Sequence, residues 1–231
     1  MPKLSIVMCV YNEKASVQPV LERVRAATLS EGWLKEIVVV DNCSTDGTRE
    51  ILQSLKYPDV RVIYQPRNLG KGASVRTGFR EATGDYGVIQ DADFEYDPAE
   101  LALLTARADA TGAEAVFGSR TAGGRRIYKY AANYWGVRLI TGLINVLFGG
   151  RLTDAEVATK MVRRDVFQAL DLKGSAFDLD VELPCKLLKH KHHIAEVPVS
   201  YQPRTIAEGK KIRWTDGLHA LAVILRERLT R

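Results

Sequence analysis

The stretch EIVVVDNCSTDGT, Glu36–Thr48, changes character halfway along. Ile37 to Val40 are four successive β-branched residues, a run that suits a strand covered on both faces. The polar, glycine-containing DNCSTDGT that follows ends it. The same pattern repeats outward on both sides. KLSIVMCVY (Lys3–Tyr11), VRVIYQ (Val60–Gln65) and DYGVIQDAD (Asp85–Asp93) are Val- and Ile-rich runs that stop at turn or polar residues. Helical patterns lie between them, over Ala15–Leu29, Gly47–Leu55 and Lys71–Ala82. Strand, helix and strand in alternation predict an α/β chain with a mostly parallel central sheet flanked by helices. In such sheets ligands bind beyond the carboxyl ends of the strands. The segments to inspect are therefore YNE (11–13), DNCSTDGT (41–48), PRNLGKG (66–72) and DADFEYDP (91–98).

The second half is less regular. AEAVFGSR (113–120) reads as a fifth strand, followed by a Gly- and Arg-rich loop and the amphipathic segment YKYAANYWGVRLITGLINVLFGG (128–150). TKMVRRDVFQAL (159–170) predicts a short strand and a helix, FDLDVELPCKLLKHK (177–191) a helix, and HIAEVPVSY (193–201) a strand. In RWTDGLHALAVILRERL (213–229), Leu218, Leu221, Ile224, Leu225 and Leu229 recur at helical spacing. No linker separates two domains, and 231 residues can bury a full core as one.

Composition narrows the function classes. With 46% apolar and 26% charged residues the chain reads as globular. Its longest charge-free stretch after residue 130, Leu139–Gly150, falls far short of a membrane span of roughly 20 residues. Three scattered cysteines, Cys9, Cys43 and Cys185, argue against a disulfide framework and fit a reducing cytoplasm. Residues 1–115 carry 13 Lys and Arg against 17 Asp and Glu, while residues 116–231 carry 20 against 11. An acidic half that holds a cation and a basic half that meets an anion fit this asymmetry. No dense basic stripe with interleaved aromatics marks a nucleic-acid surface.

The strand-end segments exclude the common nucleotide loops. A Walker loop fails because Gln65 and Gly72 stand where it needs Gly and Ser or Thr, and CVYNEKAS lacks the glycines of a dinucleotide fingerprint. GKG (70–72) still offers backbone N–H groups and a Lys at a predicted helix start, a setting that favours an anion. In VIQDADFEYDP (88–98), Asp91, Asp93, Glu95 and Asp97 stand at every second position, so in an extended chain all four carboxylates share one face and repel. Asp97-Pro98-Ala99-Glu100 matches a capping box, which makes Asp97 a helix cap. The remaining three suit a hard divalent cation with open positions for diphosphate oxygens. An EF-hand is excluded by Tyr96 and Ala102 at its Gly and Glu positions. His190, His192 and His193 follow a predicted helix end, where positive side chains complement the dipole.

Taken in order, YNE, VVDNCSTDGT, RNLGKG, QDADFEYDP, GSR (118–120) and YQPRTIAEGKK (201–211) resemble family 2 glycosyltransferases of the GT-A fold, most of all the dolichyl- or polyprenyl-phosphate sugar transferases. The resemblance implies a single domain over 1–231, with a nucleotide-sugar half (1–118), an acceptor half (119–231) and amphipathic interface helices in the latter. It places Tyr11, Asn12, Glu13, Asp41, Asn68, Lys71, Asp91, Ala92, Arg204 and Lys211 around the nucleotide sugar. Asp91 and Asp93 match a DxD motif for Mg²⁺ or Mn²⁺, with Glu95 as a third ligand. Arg120 and Arg126 are implied to face an acceptor phosphate, and Asp93, Arg120 and Asp154 to stand at the reaction centre. Asn42-Cys43 and Cys9-Val10 depart from the family pattern beside the base.

The activity implied is an inverting, metal-dependent transfer of a hexose from GDP-mannose or a UDP-hexose to polyprenyl phosphate. The alternative is transfer to a hydroxyl of a cell-surface glycan, with Asp154 or Asp180 as general base. A nucleotidylyltransferase is disfavoured, since the Gly- and Arg-rich loop it needs after the first strand is missing. Tyr128–Phe148, with Arg125, Arg126 and Lys129, suits an anionic membrane surface. The expected location is cytoplasmic and peripheral, at the inner face of the membrane. An anchoring partner or a second copy of the chain is an expected companion.

Overall fold

The computed structural model describes residues 1–122, 131–204 and 214–230. Four strands of the first half run parallel: β1 (Lys3–Val10), β2 (Leu34–Asp41), β3 (Val60–Tyr64) and β4 (Tyr86–Asp91). Helices α1 (Val17–Ala26), α2 (Thr48–Ser54) and α3 (Lys71–Glu81) connect them, each a little shorter than its predicted span. In α1 the buried residues Val17, Val20, Leu21 and Val24 follow i, i+3, i+4, i+7, which puts one apolar stripe on the core.

After α4 (Leu101–Thr111) come β5 (Ala115–Ser119), α5 (Ala131–Phe148), β6 (Lys160–Arg163), α6 (Arg164–Ala169), α7 (Leu179–Lys189), β7 (Ile194–Pro198) and α8 (Trp214–Leu229). All seven strands join one sheet in the order β3-β2-β1-β4-β6-β5-β7. β6 is its antiparallel member, paired with both β4 and β5, while β7 is parallel to β5. That reversal matters for the site. The residues that precede β6 emerge at the same edge as the carboxyl ends of the other strands. A core of buried aliphatics fills both faces, with Phe79 of α3 stacked on Phe167 of α6 at 3.7 Å between centroids.

Two expectations change. The acidic stretch does not stay extended: β4 ends at Asp91, and the Asp93 carboxylate accepts from the Glu95 backbone N–H at 3.0 Å, which bends the chain. The capping box is half right. Asp97 accepts from Ala99 N at 3.1 Å with Pro98 at the first helical position, but Glu100 turns away and accepts from Ser200 N at 2.9 Å. The amphipathic pattern of α5 appears as a buried face of Val137, Ile140, Thr141 and Ile144 opposite exposed Trp135, Leu139 and Val146. In α8 the inward face is Ala220, Val223 and Ile224, whereas Leu218, Leu225 and Leu229 are exposed. Among the described residues no helix is long and apolar enough to cross a membrane. Cys9, Cys43 and Cys185 are free thiols.

Candidate active site

The parallel register sets Val10 beside Asp41 and Cys9 beside Asp91, so the ends of β1, β2 and β4 meet at one edge. A cavity of about 350 Å³ opens there. Tyr11 and Glu13 after β1, Asn42 after β2, Asn68 and Lys71 around the start of α3, and Asp91, Ala92, Asp93 and Glu95 after β4 all line it. The second half contributes Arg120, Glu156, Phe177, Asp180, Tyr201 and Arg204.

The like charges of the acidic stretch are neutralised by two side chains of the protein. Lys71 Nζ lies 2.9 Å from Asp91 and 3.6 Å from Asp180. Burial pulls the Lys71 pKa down, but Asp180 and Asp91 outweigh it, so the ammonium is held charged above its ordinary range. Arg204 spreads its guanidinium over three acids: it pairs with Asp93, with Glu13 at 3.1 Å and with Glu95 at 3.5 Å. Its backbone N–H also donates to Glu95 at 2.9 Å, which ties the segment after β7 to the acidic turn. Asp93 is 6% exposed, and burial followed by the neighbouring Asp91 pushes its pKa up to about 7. Arg204 opposes that rise without cancelling it.

Arg120 is fixed from behind. Its Nε and Nη2 donate to Asp154 at 2.7 and 2.8 Å, and its backbone N–H donates to the same carboxylate at 3.0 Å. Asp154 is 0% exposed and is not among the lining residues, so it reaches the cavity only through Arg120. Burial raises the Asp154 pKa, yet Arg120 overrides it and the net shift is downward. Glu196 in turn accepts from Thr153 N at 2.9 Å and Asp154 N at 3.2 Å. The Arg120 guanidinium sits 5.2 Å from the Tyr201 ring, which tilts against Tyr96 at 5.2 Å.

Two other predicted residues stand back from the cavity. The Asp41 carboxylate, 0% exposed, is shared by Ser44 N at 3.1 Å and Arg49 Nε at 2.6 Å. Asn12 stitches two strand ends together, with its Oδ1 accepting from Thr45 N at 2.8 Å and its N–H donating to Ser44 Oγ at 3.0 Å. The two glycines of the GKG turn have a packing cause, and Gly70 and Lys71 also line the cavity. Gly70 has φ +90°, and a Cβ on it would overlap the Ser175 carbonyl oxygen; one on Gly72 would lie 2.6 Å from Gly174 O. Both positions are small because the 174–176 backbone crosses directly over them. Arg126 and Lys211, with Arg125 and Lys129, lie outside the described residues.

Lining residues that sequence reading did not assign to the site include Glu156, Phe177 and Tyr96, and Asn42, noted there only as a departure from the family pattern, lines it too. Asn42 donates from Nδ2 to Asn68 Oδ1 at 2.9 Å and so positions a predicted residue. Among the described residues no three Asp, Glu, His or Cys side chains converge closely enough to cage a metal ion. The donor set still suits a hard cation completed by its ligand. Mg²⁺ is ordinarily held by one or two carboxylates together with phosphate oxygens and water, and Asp91 and Asp93 line the cavity as such a pair.

A mixed sheet of this order, with an acid-rich cavity at the strand ends, defines a GT-A glycosyltransferase fold. Residues 5–171 match the glycosyl transferase family 2 model, and the chain belongs to that family. It is 28% identical over 209 residues to the low-salt glycan biosynthesis hexosyltransferase of Haloferax volcanii, covering 88% of this chain and 48% of the relative. It is 30% identical over 219 residues to the dolichol-phosphate mannosyltransferase of Pyrococcus furiosus, covering 90% and 59%. This chain therefore spans only part of the length of these curated relatives. Among solved structures it resembles Mycobacterium tuberculosis glucosyl-3-phosphoglycerate synthase in complex with uridine diphosphate, at a TM-score of 0.74 and 18% identity over 98% of this chain and 80% of that one.

Proposed function

We propose that residues 1–231 form one transferase domain that moves a hexose from a nucleotide sugar to polyprenyl phosphate with a divalent cation, Mg²⁺ or Mn²⁺. The observation that carries this reading is the charge of the cavity, which six carboxylates and three cationic side chains line among the described residues. A nucleoside diphosphate entering there meets net negative charge unless a divalent cation accompanies it. Asp91 and Asp93 would hold that cation, with Glu95 beside them. When bound, it would neutralise the diphosphate as charge builds on the leaving group.

Residues 1–118 serve the donor in this reading. Tyr11, Asn42 and Asn68 line the nucleoside side, with Asp41 and Asn12 holding the loops that carry them. Lys71 and Arg204 supply fixed positive charge to the diphosphate, and Lys211 is assigned to the same loop. Residues 119–231 serve the acceptor. Arg120, oriented by Asp154, binds the acceptor phosphate with Arg126. A phosphate is already an anion at neutral pH and needs no strong general base. A single displacement, in which the acceptor oxygen bonds to the anomeric carbon as the diphosphate leaves, inverts that centre. The hexosyltransferase and dolichol-phosphate names of the relatives support donor and acceptor classes. The exposed apolar residues of α5, Trp135, Leu139 and Val146, suit docking at the inner membrane surface where such an acceptor resides.

The test is a panel of GDP-mannose and UDP-hexoses with Mn²⁺ or Mg²⁺ and a short polyprenyl phosphate. One donor should yield a solvent-extractable lipid-linked sugar, abolished by EDTA. No product from any donor, or product only on soluble glycan hydroxyls, overturns the reading.

A further inference from the structure

Four of the six cavity carboxylates already have a cation: Asp91 has Lys71, while Glu13, Asp93 and Glu95 share Arg204. The other two, Glu156 and Asp180, still lack hydrogen-bond donors among the described residues. The Glu156 carboxylate lines the cavity and makes no hydrogen bond or ion pair among the described residues. Asp180, also in the lining, is held between Lys71 at 3.6 Å and Lys160 at 3.7 Å, and its buried Oδ1 has no hydrogen-bond partner. Lys160 compensates the charge but supplies no hydrogen bond, since its Nζ stands 3.7 Å from that oxygen and donates to the Val157 carbonyl.

An ionised carboxylate only accepts hydrogen bonds, and leaving it unsatisfied under cover is unfavourable. Asp180 Oδ1 is the buried oxygen left without a donor, and half-buried Glu156 presents its carboxylate to the same cavity, so the pair suits a ligand that brings donors and no negative charge of its own. Phosphate does not qualify. The hydroxyl groups of a sugar ring do. Phe177 lines the same cavity, its ring 5.7 Å from Lys71 Nζ, and offers an apolar face against which the C–H side of a pyranose can pack. The two acids also sense each other: burial raises the Glu156 pKa, and Asp154 and Asp180 add to that.

We propose that Glu156 and Asp180 form the subsite for the hydroxyl groups of the donor's hexose, and that this pair sets which sugar is accepted. The inference rests on the nucleotide-sugar reading above. Glu156 precedes the antiparallel β6 and Asp180 opens α7, so two separate elements grip the ring. That arrangement discriminates hydroxyl configuration, since a site built to accept from a hydroxyl rejects a ligand that points it elsewhere.

The test compares Glu156→Gln and Asp180→Asn with the wild type by titration calorimetry in Mn²⁺, using UDP and GDP alone and then UDP-glucose, UDP-galactose and GDP-mannose. The expected result is nucleotide affinity within about twofold of wild type for Glu156→Gln, and for both variants a nucleotide-sugar affinity, taken relative to the bare nucleotide, weakened about 20-fold or more with loss of preference between the glucose and galactose donors. Retained nucleotide binding also shows that each variant is folded. Equal weakening toward nucleotide and nucleotide sugar, or an unchanged sugar preference, overturns the inference. So does a Glu156→Gln variant that binds every donor normally but loses turnover on a hydroxyl acceptor, which would make Glu156 a general base. A wild type that binds nucleotides but gains nothing from the sugar overturns this inference alone, whereas one that binds no nucleotide overturns the donor reading beneath it.

Discussion

The Arg120–Asp154 pair permits a quantitative test. Both side chains are buried, at 7% and 0% exposure, and three N–H groups of Arg120 converge on the one carboxylate. Asp154→Ala strands the guanidinium without its counter-ion. Breaking a buried pair by removing one partner costs about 3–5 kcal/mol, which for a chain of this size lowers Tm by roughly 10 °C. Replacing both, Arg120→Met with Asp154→Leu, removes the stranded charge and should recover most of that loss. The pH dependence has a definite sign. The folded Asp154 pKa lies below its ordinary 3.8, so its stabilisation is fully present above about pH 4 and disappears as pH falls through the folded value. Thermal melts from pH 7 to pH 3 should show an acid-side decline that the double variant lacks. A single variant within about 1 kcal/mol of wild type, or a double variant as unstable as the single, would refute the reasoning.

Further expectations concern the cavity and its frame. Asp93→Asn should weaken Mn²⁺-dependent nucleotide binding by about 30-fold or more, read by calorimetry with and without EDTA; survival of the metal-dependent part refutes Asp93 as a ligand. Because the Asp93 pKa is pushed up to about 7, a proton competes with the cation, so this binding should weaken below pH 7 by up to about tenfold per unit. Gly72→Ala drives a Cβ to within 2.6 Å of Gly174 O and 2.9 Å of Ala176 O, an overpacking of about 1–3 kcal/mol that a melt resolves. An unshifted Tm would show that the 174–176 backbone yields freely. Asp97→Ala removes one cap bond and should cost about 1 kcal/mol while leaving nucleotide affinity as it was.

The parallel half of the sheet was legible because its strands are buried on both faces, so four Val- and Ile-rich runs stand out without any knowledge of their partners. Looking just past each run led directly to Tyr11, Glu13, Asn68, Lys71, Asp91 and Asp93, which all line the cavity. The same rule hid Glu156. It lies before a strand, and only the antiparallel course of β6 carries it to the ligand edge. Asp41 follows the rule and Asp154 came from the resemblance, yet both stand one step behind the lining, because each is saturated by an arginine whose contact leaves no pattern in the sequence. At GKG the close crossing of residues 174–176 accounts for both glycines, a cause that sequence reading did not find. Long-range backbone contact leaves no local signature.

The four acids of the stretch belong to an arrangement in which acid and base position one another. Asp97 caps a helix, Asp91 takes Lys71 from the start of α3, and Arg204, more than a hundred residues later, bridges Asp93, Glu95 and Glu13. The acidic half thus holds a cation supplied by the basic half, which gives the charge asymmetry along the chain a structural meaning. Preorganised charge stabilises a developing anion better than mobile charge, because nothing has to reorganise as the reaction proceeds. In this cavity the carboxylates hold Lys71 charged and Arg204 in place. Among the described residues their excess over the cations leaves the cavity net negative, and that excess supports the proposal that a divalent ion accompanies a diphosphate there.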